Sequence, residues 1–108
     1  MVKSITPQDM VKEVVSSTKP MLVAFLKQGQ RQREQLELLD RAERRYARSV
    51  DCYLYSDGFL ETGMRQHFVS GTPTYLLFQD GWEVDRLMGC SDDDMLDSFL
   101  RRSLKRKD

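Results

Sequence analysis

Few side chains in this sequence could do covalent chemistry. It holds two cysteines, Cys52 and Cys90, and one histidine, His67. Two cysteines make no disulfide framework, and with a single histidine they make no metal site. No cysteine or hydroxyl partner for His67 is identifiable, so it reads as a partly buried structural residue. Cys52 lies among strand-forming residues and reads as a small buried apolar side chain. Cys90 stands just before a helix start, a position that activates thiols. Asp92, Asp93 and Asp94 follow it and oppose that effect. A second unusual feature is positive charge at the start of a long predicted helix. Arg31 and Arg33 there oppose the helix dipole, at about 0.3–1 kcal/mol each. With Lys27 and the free helix amides they would attract an anion or an acidic partner segment. The competing reading is a solvated helix start with Arg31–Glu34 and Arg33–Glu37 pairs along the helix.

The elements that must position these residues follow from periodicity and turn chemistry. Val2 to Ile5 is a short first strand. Thr6-Pro7-Gln8-Asp9 then signals a helix start, with Thr6 as cap and proline at the first helical position. Met10, Val11, Val14 and Val15 form its predicted buried stripe. Met21 to Leu26 is apolar on both alternating faces, as a central strand covered on both sides requires. After the turn at Lys27 to Gln30, a helix is predicted from about Arg31 to Ser49. Its apolar stripe is Leu36, Leu39, Ala42 and Tyr46, widened by Leu38 and Ala47. Asp51 to Ser56 is a third strand, with Cys52, Leu54 and Ser56 on one face and Tyr53 and Tyr55 on the other. Phe59 to Phe68 reads as a shorter helix with Leu60, Met64, His67 and Phe68 inward. Thr74 to Phe78 and Trp82 to Met88 are two strands joined by the Asp80-Gly81 hairpin signal. Ser91, with Asp94 three residues on, is the predicted cap of a closing helix whose inner face is Met95, Leu96, Phe99, Leu100 and Leu104. The order β-α-β-α-β-α-β-β-α defines an α/β three-layer sandwich in one domain, 1–108.

Gly71-Thr72-Pro73-Thr74, followed by an apolar strand and the Asp80-Gly81 hairpin, resembles the cis-proline segment of the thioredoxin-like family. Val23 to Leu26, with its turn and long helix, resembles that family's active-site segment, and the resemblance runs over nearly the whole chain. It implies a thioredoxin-like α/β/α sandwich with a central mixed sheet of about five strands. It also places Gln30-Arg31-Gln32-Arg33 where the family carries Cys-Gly-Pro-Cys. Glutamine and arginine cannot act as thiolates or form a disulfide. The family's buried aspartate falls on Ala24, its tryptophan on Gly29 and its helix-kinking proline on Leu38. Cys52 and Cys90 would be separated by two strands, roughly 14 Å at the spacing of a sheet. A bridge needs Cα atoms within about 7 Å, so both thiols are expected free.

The resemblance implies a groove beside Pro73, lined by Gly29, Thr72, Pro73 and Cys90 and bordered by Arg31 and Arg33. An extended peptide or protein segment could pair there without chemistry. The function expected is a redox-inactive binding, adaptor or chaperone-like module with no cofactor. The alternative is an atypical oxidoreductase in cell redox homeostasis, using a single thiol at Cys90 or a glutathione-type thiol held by Arg31 and Arg33. A homodimer is the other partner class left open. Seventeen basic and seventeen acidic residues cancel, so no global field favours nucleic acid or an acidic membrane. The Arg101 to Lys107 run lacks interleaved aromatics and reads as a solvated helix end. No apolar run approaches the length of a membrane span. MVKSITPQDM lacks the features of a signal peptide, which makes the expected compartment cytoplasmic.

Overall fold

The computed structural model describes residues 2–104. Its elements are β1 (Lys3–Ile5), α1 (Pro7–Ser16), β2 (Met21–Phe25), α2 (Gln30–Arg45), β3 (Asp51–Tyr55), α3 (Leu60–Gln66), β4 (Thr74–Gln79), β5 (Trp82–Met88) and α4 (Asp93–Leu104). A single 3₁₀ turn, Asp57–Phe59, leads into α3. The Lys105 to Lys107 part of the basic run lies outside the described residues.

Local chemistry accounts for most boundaries. Thr6 Oγ1 accepts the Asp9 amide at 3.2 Å, and Pro7 opens α1 where its missing donor is harmless. Asp80 and Gly81 both take positive φ, 55° and 88°, which matches a two-residue I′ turn to the twist of β4 and β5. Several elements are one or two residues shorter at an end than expected, α3 included at Leu60–Gln66, and two differences have a local cause. α2 ends at Arg45 rather than near Ser49, because the Ser49 and Val50 amides both fold back onto the Tyr46 carbonyl, at 2.8 and 2.9 Å. The cap of α4 is Asp92, whose Oδ1 accepts from the Met95 amide at 2.8 Å, and not Ser91.

The strands form one mixed sheet in the order β1-β3-β2-β4-β5. β1, β3 and β2 run parallel, while β4 is antiparallel to β2 and β5 to β4. Side chains alternate between faces, so every second residue of β2 enters a different core. Leu22 and Ala24 join Cys52, Tyr75 and Leu77 under Leu38 and Leu39 of α2 and Leu96, Phe99 and Leu100 of α4. Met21, Val23 and Phe25 join Tyr55, Leu76 and Phe78 on the opposite face, with Met10 of α1 and the partly buried Leu60 and Met64 of α3. Helices therefore cover both faces, and β2 is buried throughout.

Several apolar residues predicted to face inward do not. Met10 is 2% exposed but Val11 and Val15 are 68% and 79% exposed. A single helix lying on a sheet buries the column that faces it, and the neighbouring column, about 100° round the axis, stays in solvent. Met95 is exposed for the same reason, and Ala47 because it lies beyond the end of α2. Phe68 is 86% exposed. It takes φ 55° as the left-handed residue of a Schellman ending, with the Val69 amide on the Met64 carbonyl at 2.8 Å and the Phe68 amide on Arg65 at 3.4 Å. That turn buries Val69 instead. Arg86 of β5 donates to the carbonyls of His67 and Phe68, at 2.9 and 3.0 Å, and fixes this corner to the sheet.

Tyr55 is fully buried, stacked on Phe25 with ring centroids 4.7 Å apart, and its hydroxyl has no hydrogen-bond partner among the described residues. A buried hydroxyl without a partner costs about 1–3 kcal/mol. Tyr55→Phe is therefore expected to leave stability unchanged or raise it by up to about 1 kcal/mol in urea denaturation; a clear loss would mean that the hydroxyl has a partner.

The α2–α4 contact is polar at its rim. Asp97 accepts from the Tyr46 hydroxyl at 2.5 Å, from Arg45 at 3.1 Å and from Arg101 at 2.6 Å. These bonds, that of Tyr46 foremost, hold its carboxyl down to about 2. The unfolded value is about 3.9. Because the folded value is the lower one, this stabilisation is complete above pH 4 and is lost as pH falls toward 2. The melting temperature should drop through that window more steeply in the wild type than in Asp97→Asn. Equal slopes would remove Asp97 as a cause of acid sensitivity.

Candidate functional site

Lys27, Gly29, Arg31, Thr72 and Pro73 meet at one end of the sheet, where β2 leads into α2 and the chain enters β4. The Thr72–Pro73 peptide is cis. Its loop is fixed at two points, with Thr74 Oγ1 donating to the Gly71 carbonyl at 2.7 Å and the Gly89 amide to the Pro73 carbonyl at 2.8 Å. Opposite it, Gly29 ends the turn after β2 and α2 begins at Gln30 with no side-chain cap. Between the two lies an open groove of about 400 Å³, whose lining includes Lys27, Gly29, Arg31, Gln32, Thr72 and Pro73. Gln30 opens the helix; its side chain is outside the described ones.

Arg31 does not turn along its own helix toward Glu34. Its Nη1 donates across the groove rim to Cys90 Sγ at 2.8 Å. Cys90 is exposed and reaches the groove through this contact; it is not part of the lining. Arg33 is not brought to the groove at all. Two residues further along α2 is about 200° round the helix. Arg33 instead lines a separate depression with Val2, Leu36 and Leu54.

Three glutamines, none of them named as a binding residue from the sequence, also line the groove. Gln35 is buried. Its Nε2 donates to the Ser91 carbonyl at 3.0 Å, and its Oε1 accepts from the Ser91 amide at 3.3 Å and from the fully buried Tyr75 hydroxyl. This holds the loop that carries Cys90 against α2, and it also keeps Ser91 out of the capping position of α4. Gln28 and Gln32 each donate to one carboxylate oxygen of Asp57, at 3.2 and 3.0 Å. That ties the turn before α3 to the first turn of α2. A polar residue within a helix stripe was the available signal for Gln35. The Asp57 contacts had none, because they depend on how three loops are brought together.

The remaining reactive groups are elsewhere. Cys52 is buried in β3, and burial pushes its thiol up to about 12. β2 and β4 separate it from β5, and neither cysteine is in a disulfide. His67 lies against the rings of Phe25, Tyr55 and Phe78, with centroids 5.8–6.3 Å away. Burial lowers its pKa, and it sits on the aromatic core, not in the groove. Among the described residues no group of three or more His, Cys, Asp or Glu could hold a metal ion. None of the described helices is long and apolar enough to cross a membrane. The sequence matches no family model and no curated protein.

What these elements define is an α/β domain with an open, partly cationic groove at one end of its sheet. Among the described residues the only thiol within reach of that groove is Cys90, which accepts from an arginine.

Proposed function

We propose that this chain is a redox-inactive thioredoxin-like protein that binds an extended peptide or protein segment in the groove beside Pro73, as an adaptor or chaperone-like module of the cytoplasm. The observation that carries this reading is the groove itself. A cis-proline loop faces the start of α2 across about 400 Å³ of open space, and Gln30 to Arg33 stand where a dithiol would be needed. A segment laid along the loop gains main-chain hydrogen bonds, and the groove contributes side-chain selection.

One contact favours a second reading, a single-thiol activity at Cys90, because Arg31 is already bonded to its sulfur. Insulin reduction by dithiothreitol separates the two. The binding reading expects the same rate with wild type, with Cys90→Ser and without protein. Turnover by the wild type that disappears in Cys90→Ser would replace it with the single-thiol reading. Thr72→Trp, which fills the groove, should lower retention of partner segments on immobilised protein by about tenfold, the loss of one buried anchor. Unchanged retention would place binding on another surface.

A further inference from the structure

We infer that the groove selects acidic segments, so that its occupant is an extended peptide carrying carboxylates. This rests on the peptide-binding reading above and adds the charge of the partner to it. The lining holds two cations, Lys27 and Arg31, and no carboxylate. The chain as a whole is neutral, so this imbalance is local. Asp57, the acid bonded to lining residues, has each of its oxygens occupied by a glutamine amide. α2, which starts at the groove, has no acidic residue in its first turn and no side-chain cap. No side chain of its own first turn therefore opposes the positive end of its dipole. Arg31 adds charge of the same sign there. A carboxylate seated in the groove would answer both.

The geometry of Arg31 suits this role. A guanidinium has five N–H donors in a fixed fork. One goes to Cys90 Sγ, which anchors the side chain at the rim and leaves donors for a carboxylate. Lys27 also lines the neighbouring groove, where Asp57 and Glu61 balance Lys27 and Arg65. The cationic excess is therefore confined to the groove beside Pro73, where Lys27 and Arg31 stand together.

The test uses fluorescein-labelled eight-residue peptides with Glu at alternate positions, their Gln counterparts, and a single-stranded oligonucleotide of equal charge, read by anisotropy at low salt. The Glu peptide should bind about tenfold more tightly than the Gln peptide, a gap that narrows as salt screens it. In Lys27→Gln/Arg31→Gln the gap should close to within about twofold, with Arg33→Gln, which removes a charge from a separate depression, retaining it. Equal binding of the two peptides, both weakened by Thr72→Trp, would overturn the charge selection and leave the groove reading standing. No binding of either peptide would remove both. Tighter binding of the oligonucleotide would overturn the inference in favour of a nucleic-acid site.

Discussion

Gly63→Ala is expected to destabilise the fold by about 2 kcal/mol, although alanine is the better helix former. Intrinsic propensity alone favours alanine inside a helix by about 1 kcal/mol. The site reverses the sign. A Cβ built on Gly63 would lie 2.2 Å from Tyr55 Cε2, 2.5 Å from Cζ and 2.8 Å from Cδ2. Tyr55 cannot give way, because its ring is fully buried and stacked on Phe25. Overpacking of a closed core costs about 1–3 kcal/mol and occasionally more, and a contact this short belongs at or beyond the top of that range. The net loss corresponds to a fall in melting temperature of about 10 °C for a domain of this size. Tyr55→Leu in the same background should recover part of it, since the two changes share one volume. A neutral or stabilised Gly63→Ala would show that α3 can move away from β3.

Gln35→Ala should cost about 2–4 kcal/mol, more than any surface polar change. The substitution removes three hydrogen bonds at once. It leaves the Tyr75 hydroxyl without that partner in a fully buried position, where an unsatisfied group costs about 1–3 kcal/mol. Burial already raises the Tyr75 phenol, so ionisation offers no escape. Tyr75→Phe, which removes one bond and leaves Gln35 Oε1 accepting from the Ser91 amide, should cost less, about 1 kcal/mol. The difference has a functional side. Gln35 holds Ser91, and Ser91 follows Cys90. Loosening that loop should speed modification of Cys90 by a maleimide while the core stays folded. Urea midpoints and labelling rates measured on the two variants distinguish this latch from a merely buried glutamine, for which labelling would not change.

Element order was legible because its signals are short-range. The Thr6 cap with Pro7, the doubly apolar β2 and the Asp80-Gly81 turn each state a local geometry that tertiary packing had no reason to alter. Faces were harder to read. Met10 and Val15 are equally plausible stripe residues, yet one is buried and the other is in solvent. Which column is covered depends on where the sheet lies, and no helix carries that information by itself. Phe68 shows the same limit at a helix end, where a left-handed turn outranks hydrophobicity.

The candidate site divides along the same line. By itself the sequence determined the presence of a cis-proline-type loop, a helix starting with arginines and no cysteine pair between them. These are properties of adjacent residues. Only the tertiary structure decided that Arg31 meets Cys90, 59 residues away, that Arg33 points to another face, and that Gln28, Gln32 and Gln35 frame the groove. It also decided that Gly63 must be glycine. The physical reason is that such contacts are made across the sheet order β1-β3-β2-β4-β5, which brings together loops that no local periodicity connects.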